Sequence, residues 1–446
     1  MNSNKIDSLR VIFRKETLWL YAIRFGTVLL QSITVFIIAA FISLEEFGRF
    51  SFLFNACRIV SVVVGFGGSE FLIRELAYGD AKHNGLGNYL LFKHAFLRSF
   101  YFTGILLIIV SLPWILLANE INIGVDIDAI LANSYGRDVL QALIIIICSG
   151  YLYSVLNIIV SVVRVSKSAT FSLAISDCLP YLFFLIGFTV CLMLGASSAN
   201  MLMVAFSASL LLCCCFAFYF AIPYLKKCRG NKTEKDNKEY YTFWGISIVG
   251  ALIAQSDVLI AKIFLDDTAL GVYALLRRAS NLISLPQVIV NWAINIEIAR
   301  EYALKNLSAL QKCAHKGLVM ALPVATLMVL VIVLLSPFWF DIFKIEQLLP
   351  NYLMLIVLMF GQLVNVMSGA NLLFASLCKQ ELFVFKSRIF SLLVGYITMA
   401  IGALYYGNVG FAVGSAVTML LLNIIVTRRV KKKIGVITSI PLLCFG

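Results

Sequence analysis

Charge is scarce in this sequence: Asp, Glu, Lys and Arg make up 13% of its 446 residues, where a soluble domain carries roughly 25%. Histidine is scarcer still. The three present, His83, His94 and His315, lie in or beside polar breaks, which argues against a histidine proton relay inside an apolar segment. No Cys-x-x-Cys pair and no Cys/His spacing of a metal site occurs. The 11 cysteines fall mostly within apolar runs, among them Cys57, Cys148, Cys178, Cys191 and the Cys213-Cys214-Cys215 triplet, where cysteine acts as a small apolar packing residue. Long polar stretches are missing too: the longest, 226–239, is a loop and leaves no room for a soluble domain. These absences exclude a soluble enzyme and give no support to a metalloprotein.

What is present is apolar. Hydrophobic residues are 61% of the chain, far more than a globule of this size can hide from water, so lipid is the expected solvent. A helical span needs about 20 apolar residues, and such runs follow one another at 17–42, 50–73, 88–117, 138–163, 170–194, 201–225, 240–265, 269–298, 317–340, 349–376, 385–405 and 408–427. Helices are expected because each satisfies its own backbone hydrogen bonds in hydrocarbon. Barrel strands would alternate apolar and polar residues, and the run Leu143–Ile147 does not. The first apolar run, 19–42, is too long for a cleaved leader and lacks a small-residue cleavage site, so it is expected to be a span. The expected fold is therefore all-α and integral to the membrane, with about twelve transmembrane helices.

Lysine and arginine set the orientation. With the N-terminus in the cytoplasm, one side collects Lys5, Arg10, Arg14 and Lys15, then Arg74 to Arg98, Arg164 and Lys167. It also takes the basic residues of the 226–239 loop, Arg300 to Lys316, Lys379 to Arg388, and the tail Arg428 to Lys433. The other side receives Arg49, Arg137 and Lys344 beside acids such as Glu45, Glu46, Asp266 and Asp267. One missed span in the middle would scramble this asymmetry, so both termini are expected inside. The net charge of +13 then reflects loops facing anionic headgroups, and nucleic acid is not implied.

The chain also repeats. Leu44-Glu45-Glu46-Phe47-Gly48-Arg49-Phe50 follows the first span, and Leu265-Asp266-Asp267-Thr268-Ala269-Leu270-Gly271-Val272-Tyr273 follows the seventh. Gly48 and Gly271 stand 223 positions apart, half of 446. Two six-span halves, 1–225 and 240–446, joined by a cytoplasmic 226–239 loop, are the expected domains. With an even number of spans each, they would be parallel repeats about an axis normal to the membrane.

These residues carry a resemblance. Leu44 to Ser51, running on to Gly65-Phe66-Gly67-Gly68 and Ile73-Arg74-Glu75-Leu76-Ala77, resembles the N-terminal signature of polysaccharide-repeat flippases. Ser256-Asp257-Val258-Leu259-Ile260, through Leu270 to Ala274 and Arg278-Ala279-Ser280, resembles the start of their C-terminal half. The resemblance implies the superfamily of multidrug (MATE-type) exporters and lipid II flippases, with two pseudo-symmetric six-helix bundles forming a V around a cavity. Its O-antigen (Wzx-type) branch implies movement of undecaprenyl-pyrophosphate-linked oligosaccharide across the bacterial inner membrane. Membrane lipids, a polysaccharide polymerase and a chain-length regulator are the further partners implied. Members often have a proline near the end of the eighth span, where this chain reads Asn295-Ile296-Glu297-Ile298.

Charges inside spans cost several kcal/mol unless they face water or a partner, and they mark transport routes by default. The basic candidates are Arg24, Arg58, Lys262, Arg277 and Arg278, and the acidic ones Asp177, Asp257 and Glu297. At about 1.5 Å per residue, Arg58, Asp257, Arg277 and Arg278 form an outer tier and Arg24 and Asp177 an inner one. Guanidinium groups in a wet cavity would replace the hydration of a pyrophosphate with forked hydrogen bonds. The competing reading pairs Asp177 with Arg24, and Asp257 with Arg277 or Arg278, as bundle-fixing ion pairs, with Lys262 snorkelling to the outer interface. Asp257 and Asp177 are also candidates for binding a coupling H⁺ or Na⁺; no other cofactor is implied. Gln31, Asn55, Asn157, Asn281, Gln287 and Asn291 would bind sugar hydroxyls or hold helices together. Gly65 to Gly68 is a hinge or close-packing segment, and Pro180 and Pro286 sit mid-span, where they permit bending. A cation-coupled multidrug exporter is the alternative, and a membrane-embedded polysaccharide-modifying enzyme a more distant one.

Overall fold

Uninterrupted apolar runs with no alternation leave the backbone one way to satisfy itself, and the computed structural model is nearly all helical, with short turns between helices, over the residues it describes (15–69, 71–73, 75–76, 88–118, 134–228, 237–346 and 348–440). The first half contains α1 (Lys15–Phe41), α2 (Leu44–Gly65), α3 (Asn88–Ala118) and α4 (Ser134–Ser166). Then come α5 (Ala169–Leu173), α6 (Leu179–Met193), α7 (Ala199–Lys227) and α8 (Asn237–Phe264). The remainder is α9 (Asp267–Asn281), α10 (Leu285–Ala303), α11 (Leu307–Ile342), α12 (Leu348–Met367), α13 (Asn371–Leu377) and α14 (Glu381–Ile434).

Among the described residues 9 helices are long and apolar enough to cross a membrane, or 10 when the bent Asp267–Ala303 segment is one span. The α14 helix is a hairpin rather than one rod, reversing at Gly407, whose φ of 60° and ψ of −140° suit a residue without a Cβ. Its arms close on small residues, Gly402 against Gly410 and Gly414 against Met399. With that hairpin counted as two arms and the shorter apolar helix Phe25–Phe41 added, the expected twelve spans are accounted for. The chain is a multi-pass membrane protein.

Breaks within spans have sequence causes. Pro180 has no N–H to give the preceding turn, and the five residues before α6, Ala174–Cys178, widen into a π-turn in which the Leu179 N–H bonds the Ala174 carbonyl. Pro286 likewise follows a 3₁₀ turn, Leu282–Ser284, between α9 and α10. Farther along, Asp267–Asn295 and Glu297–Ala303 are inclined by 43°, so a bend occurs where the family pattern has proline and this chain does not.

Two compact units form, Met1–Gly48 with Asp257–Gly446, and Arg49–Ser256. In the first, the repeated glycines meet. A Cβ on Gly48 would strike the Asp267 carbonyl oxygen and lie 2.8 Å from the Gly271 nitrogen; one on Gly271 would strike the Leu44 carbonyl oxygen and lie 3.2 Å from the Gly48 nitrogen. Each glycine thus sits against the residue four positions before the other, a reciprocal backbone contact between the first turns of α2 and α9. The repeat in sequence is a close approach in space that only glycine permits.

Gly48→Ala and Gly271→Ala are each expected to cost about 1–3 kcal/mol, measured by thermal unfolding of the detergent-solubilised protein. Gly104→Ala, at a glycine with open space around it, is the control and should leave the midpoint unchanged.

Candidate functional site

In the Arg49–Ser256 unit, Phe50, Phe54 and Arg58 recur at four-residue spacing on α2 and so share a face. Phe50 stacks on Phe184 with centroids 5.7 Å apart, and Phe54 meets Phe206 edge-on at 5.0 Å. The Arg58 guanidinium lies 5.9 Å from the Phe54 centroid and 5.5 Å from that of Tyr153 on α4. Its Nη1 donates to the Tyr181 hydroxyl at 3.3 Å. Asp177, in the π-turn, lies within electrostatic reach of Arg58 and Tyr153. Among the described residues no carboxylate comes within ion-pair distance of Arg58. It is a partly exposed cation held by aromatic faces and a phenol, each a weaker counterpart than a carboxylate.

In the other unit the second arginine has a different setting. Arg277 on α9 pairs through Nε with Asp257 on α8, and the Tyr273 hydroxyl donates to the same Oδ2 at 2.9 Å. Tyr273 is packed edge-on against Phe411 at 5.1 Å. Oδ1 of Asp257 is buried and has no hydrogen-bond partner among the described residues. An oxygen of that kind is costly unless something neutralises it.

The other candidates separate cleanly. Lys262 pairs with Asp267 across the α8–α9 break. Arg278 is partly buried, with Nε and Nη2 shielded from solvent. Glu297 faces Lys316 at 3.9 Å near the end of its span. The side chain of Arg24 lies outside the described residues. Asp177, expected in a tier apart from Arg58, is brought into its field by the π-turn.

Two of the neutral polar candidates, Asn281 and Gln287, tie helices together, and a third, Asn55, bonds its own helix. Asn281 accepts from Gln362 at 2.8 Å, Gln287 donates to the carbonyl oxygens of Asn365 and Gly369, and Asn55 bonds back to Ser51. Asn157 instead lines a cavity of about 190 Å³ with Ser61, Ser69, Ser154, Ser247 and the glycines 65, 67 and 68. That cavity opens where α2 ends. Phe66 and Gly67 adopt φ of 50° and 65°, and the Val63 carbonyl, which accepts a 3.4 Å bond from the Phe66 N–H, is also taken by Trp244 Nε1 at 3.0 Å. Phe66 stacks on the same indole at 4.6 Å.

Tyr153, Tyr181, Trp244 and Arg388 are the residues that sequence reasoning missed. A tyrosine or tryptophan inside a span needs a partner for its polar atom, which was a usable signal. In sequence Arg388 stands at the cytoplasmic start of the 385–405 span; α14 begins at Glu381 and places it a further turn inside the helix, with its Nε buried and without a hydrogen-bond partner among the described residues. No group of three His, Cys, Asp or Glu able to hold a metal occurs among the described residues.

Comparison with known proteins places this geometry. No curated protein sequence matches the chain. Solved structures share its fold at low identity. An inward-facing multidrug resistance MATE transporter of the MOP superfamily superposes with a TM-score of 0.71 at 11% identity, over 93% of this chain and 98% of that one. The lipid II flippase MurJ in an inward closed conformation gives 0.64 at 16%, over 93% and 87%. A MOP superfamily transporter from Pyrococcus furiosus, described by the reversed polarity of its binding pocket, gives 0.58 at 14%, over 94% and 93%. The model of the polysaccharide biosynthesis protein family matches residues 13–298. The chain, with the fold of these transporters, belongs to the polysaccharide biosynthesis protein family.

Proposed function

We propose that this protein translocates an undecaprenyl-pyrophosphate-linked oligosaccharide, an O-antigen or related repeat unit, across the bacterial inner membrane by alternating access. Both termini are cytoplasmic in this reading, and the six-span halves 1–225 and 240–446 are the parts that rock. The observation that carries it is Arg58. A guanidinium inside a span, held by rings and a phenol, keeps forked N–H groups for a polyanion. A pyrophosphate has the charge and the paired oxygens to replace what the site lacks. The serine- and asparagine-lined cavity at the Gly65–Gly68 break offers hydroxyl-matching groups to a glycan, while the polyprenyl tail stays in lipid. No bond in the ligand is made or broken, so the protein needs no nucleophile or metal. Arg24, Arg277, Arg278 and Lys262 are the further basic residues assigned to the substrate path.

The similarity to multidrug transporters favours one rival, export of hydrophobic cations. An arginine in an aromatic enclosure, with no carboxylate within ion-pair distance among the described residues, repels such a ligand, so cationic dye efflux is expected to be absent.

Arg58→Ala should cut translocation of a fluorescent lipid-linked oligosaccharide in proteoliposomes at least tenfold with normal insertion, the scale of a charged hydrogen bond of about 1.5–3 kcal/mol. Arg58→Lys should restore it only in part, since lysine keeps the charge and loses the fork. Unchanged rates in Arg58→Ala would remove the anion site.

In the same reading Asp257 carries the coupling cation or proton, its bare Oδ1 being the place for it. Asp257→Asn leaves Arg277 without its carboxylate and should cost about 3–5 kcal/mol. Adding Arg277→Gln should recover thermal stability without recovering gradient-driven transport. Recovery of both would make the pair purely structural.

A further inference from the structure

Where the two arms of the α14 hairpin end together, a cavity of about 310 Å³ is lined by Lys379, Gln380, Leu382, Phe383, Lys386 and Arg429. Three of the six are basic and none is acidic; Glu381 stands next in sequence but is not part of the wall. The site is organised by Gln380. Its side-chain oxygen accepts the Arg429 Nε–H at 3.0 Å, and its amide nitrogen donates to the Lys379 carbonyl at 3.1 Å. Lys379 is held there in the left-handed region, φ 58°, a conformation unusual for a side chain of its length. The Arg429 guanidinium lies 4.6 Å over the Phe383 ring. With Nε bonded and one face stacked, its orientation is fixed, and its terminal amino groups, which make no hydrogen bond among the described residues, face the place an anion would take in the cavity.

The location says what kind of anion. Lys386 lies five residues inside α14, about 7–8 Å along the axis, a depth from which lysine reaches the interface. Leu382, Phe390 and Leu393 on the same arm are 65%, 54% and 56% exposed, an apolar surface suited to acyl chains. We infer that this cavity binds the phosphate headgroup of an anionic membrane lipid, with Arg429 and Lys386 on the phosphate and the acyl chains along the first arm of α14. Basic pockets beside transmembrane helices hold such headgroups through charge and packing together. The site is separate from Arg58 and from the Asp257–Arg277 pair.

The test is native mass spectrometry of the delipidated full chain titrated with phosphatidylglycerol, phosphatidylcholine or inorganic phosphate. Phosphatidylglycerol is expected to bind at least tenfold more tightly than phosphatidylcholine. Arg429→Gln and Lys386→Gln should each lose that preference, Lys386 being an exposed residue whose replacement leaves the fold intact. A Lys432→Gln/Lys433→Gln control, which removes two charges rather than one but lies outside the cavity, should keep it. Equal binding of the two lipids, or full preference in both cavity variants, overturns the proposal. So does complete displacement of phosphatidylglycerol by millimolar inorganic phosphate, which would make the site one for free phosphate.

Discussion

Hydrocarbon offers no hydrogen bonds, and every polar group placed in it must find a partner within the protein. The helices meet that demand for the backbone, and each departure from regular helix is repaired locally. Where α2 stops at Gly65, the Val63 carbonyl keeps a 3.4 Å bond from the Phe66 N–H and gains the Trp244 indole as a second donor. The register lost ahead of Pro180 is absorbed by a π-turn, and that ahead of Pro286 by a 3₁₀ turn. Such breaks are stable only because protein surrounds them, and they are also where a helix deforms most readily. The π-turn carries Asp177 and the α2 break walls the hydroxyl-lined cavity, so the irregular backbone and the candidate chemistry coincide.

Charge obeys the same demand, and its two solutions here differ in kind. Arg277 is met by the Asp257 carboxylate, whose Oδ2 also accepts from the Tyr273 phenol; this ties α8 to α9 and leaves Oδ1 without a hydrogen-bond partner among the described residues. Arg58 is met by two aromatic faces and one hydroxyl, with a carboxylate near enough to be felt and too far to pair. Arginines at similar depth in equivalent spans are therefore not equivalent in setting: Arg277 is paired with a carboxylate, and Arg58 has none within ion-pair distance among the described residues.

Close approach of backbones is the other recurring device. Without a hydrophobic drive between helices in lipid, small residues at crossings provide van der Waals contact. The Gly48–Gly271 crossing and the Gly402–Gly410 closure of the α14 hairpin both use it. The first is reciprocal, which gives the sequence repeat a physical meaning. The second brings together chain ends 50 residues apart, Lys379 and Arg429, and so creates the basic cavity at the hairpin mouth.

The sequence by itself determined the solvent, the element type and nearly all of the span count, because hydropathy is a property of consecutive residues and needs no knowledge of neighbours. It also marked the ionisable residues within spans and the paired glycines, since both are rare enough to stand out. It did not decide which charge meets which. Counting helical rise put Arg58 and Asp177 in different tiers, whereas a single π-turn, caused by Pro180, shifts the aspartate into the arginine's field. Nor did it separate Asn157, which faces a cavity, from Asn281 and Gln287, which bond neighbouring helices, because the residue type is the same and only the packing differs. Tyr153 and Tyr181 were invisible as arginine partners for the same reason: they come from separate helices, and contacts of that kind are fixed by tertiary packing rather than by spacing along the chain.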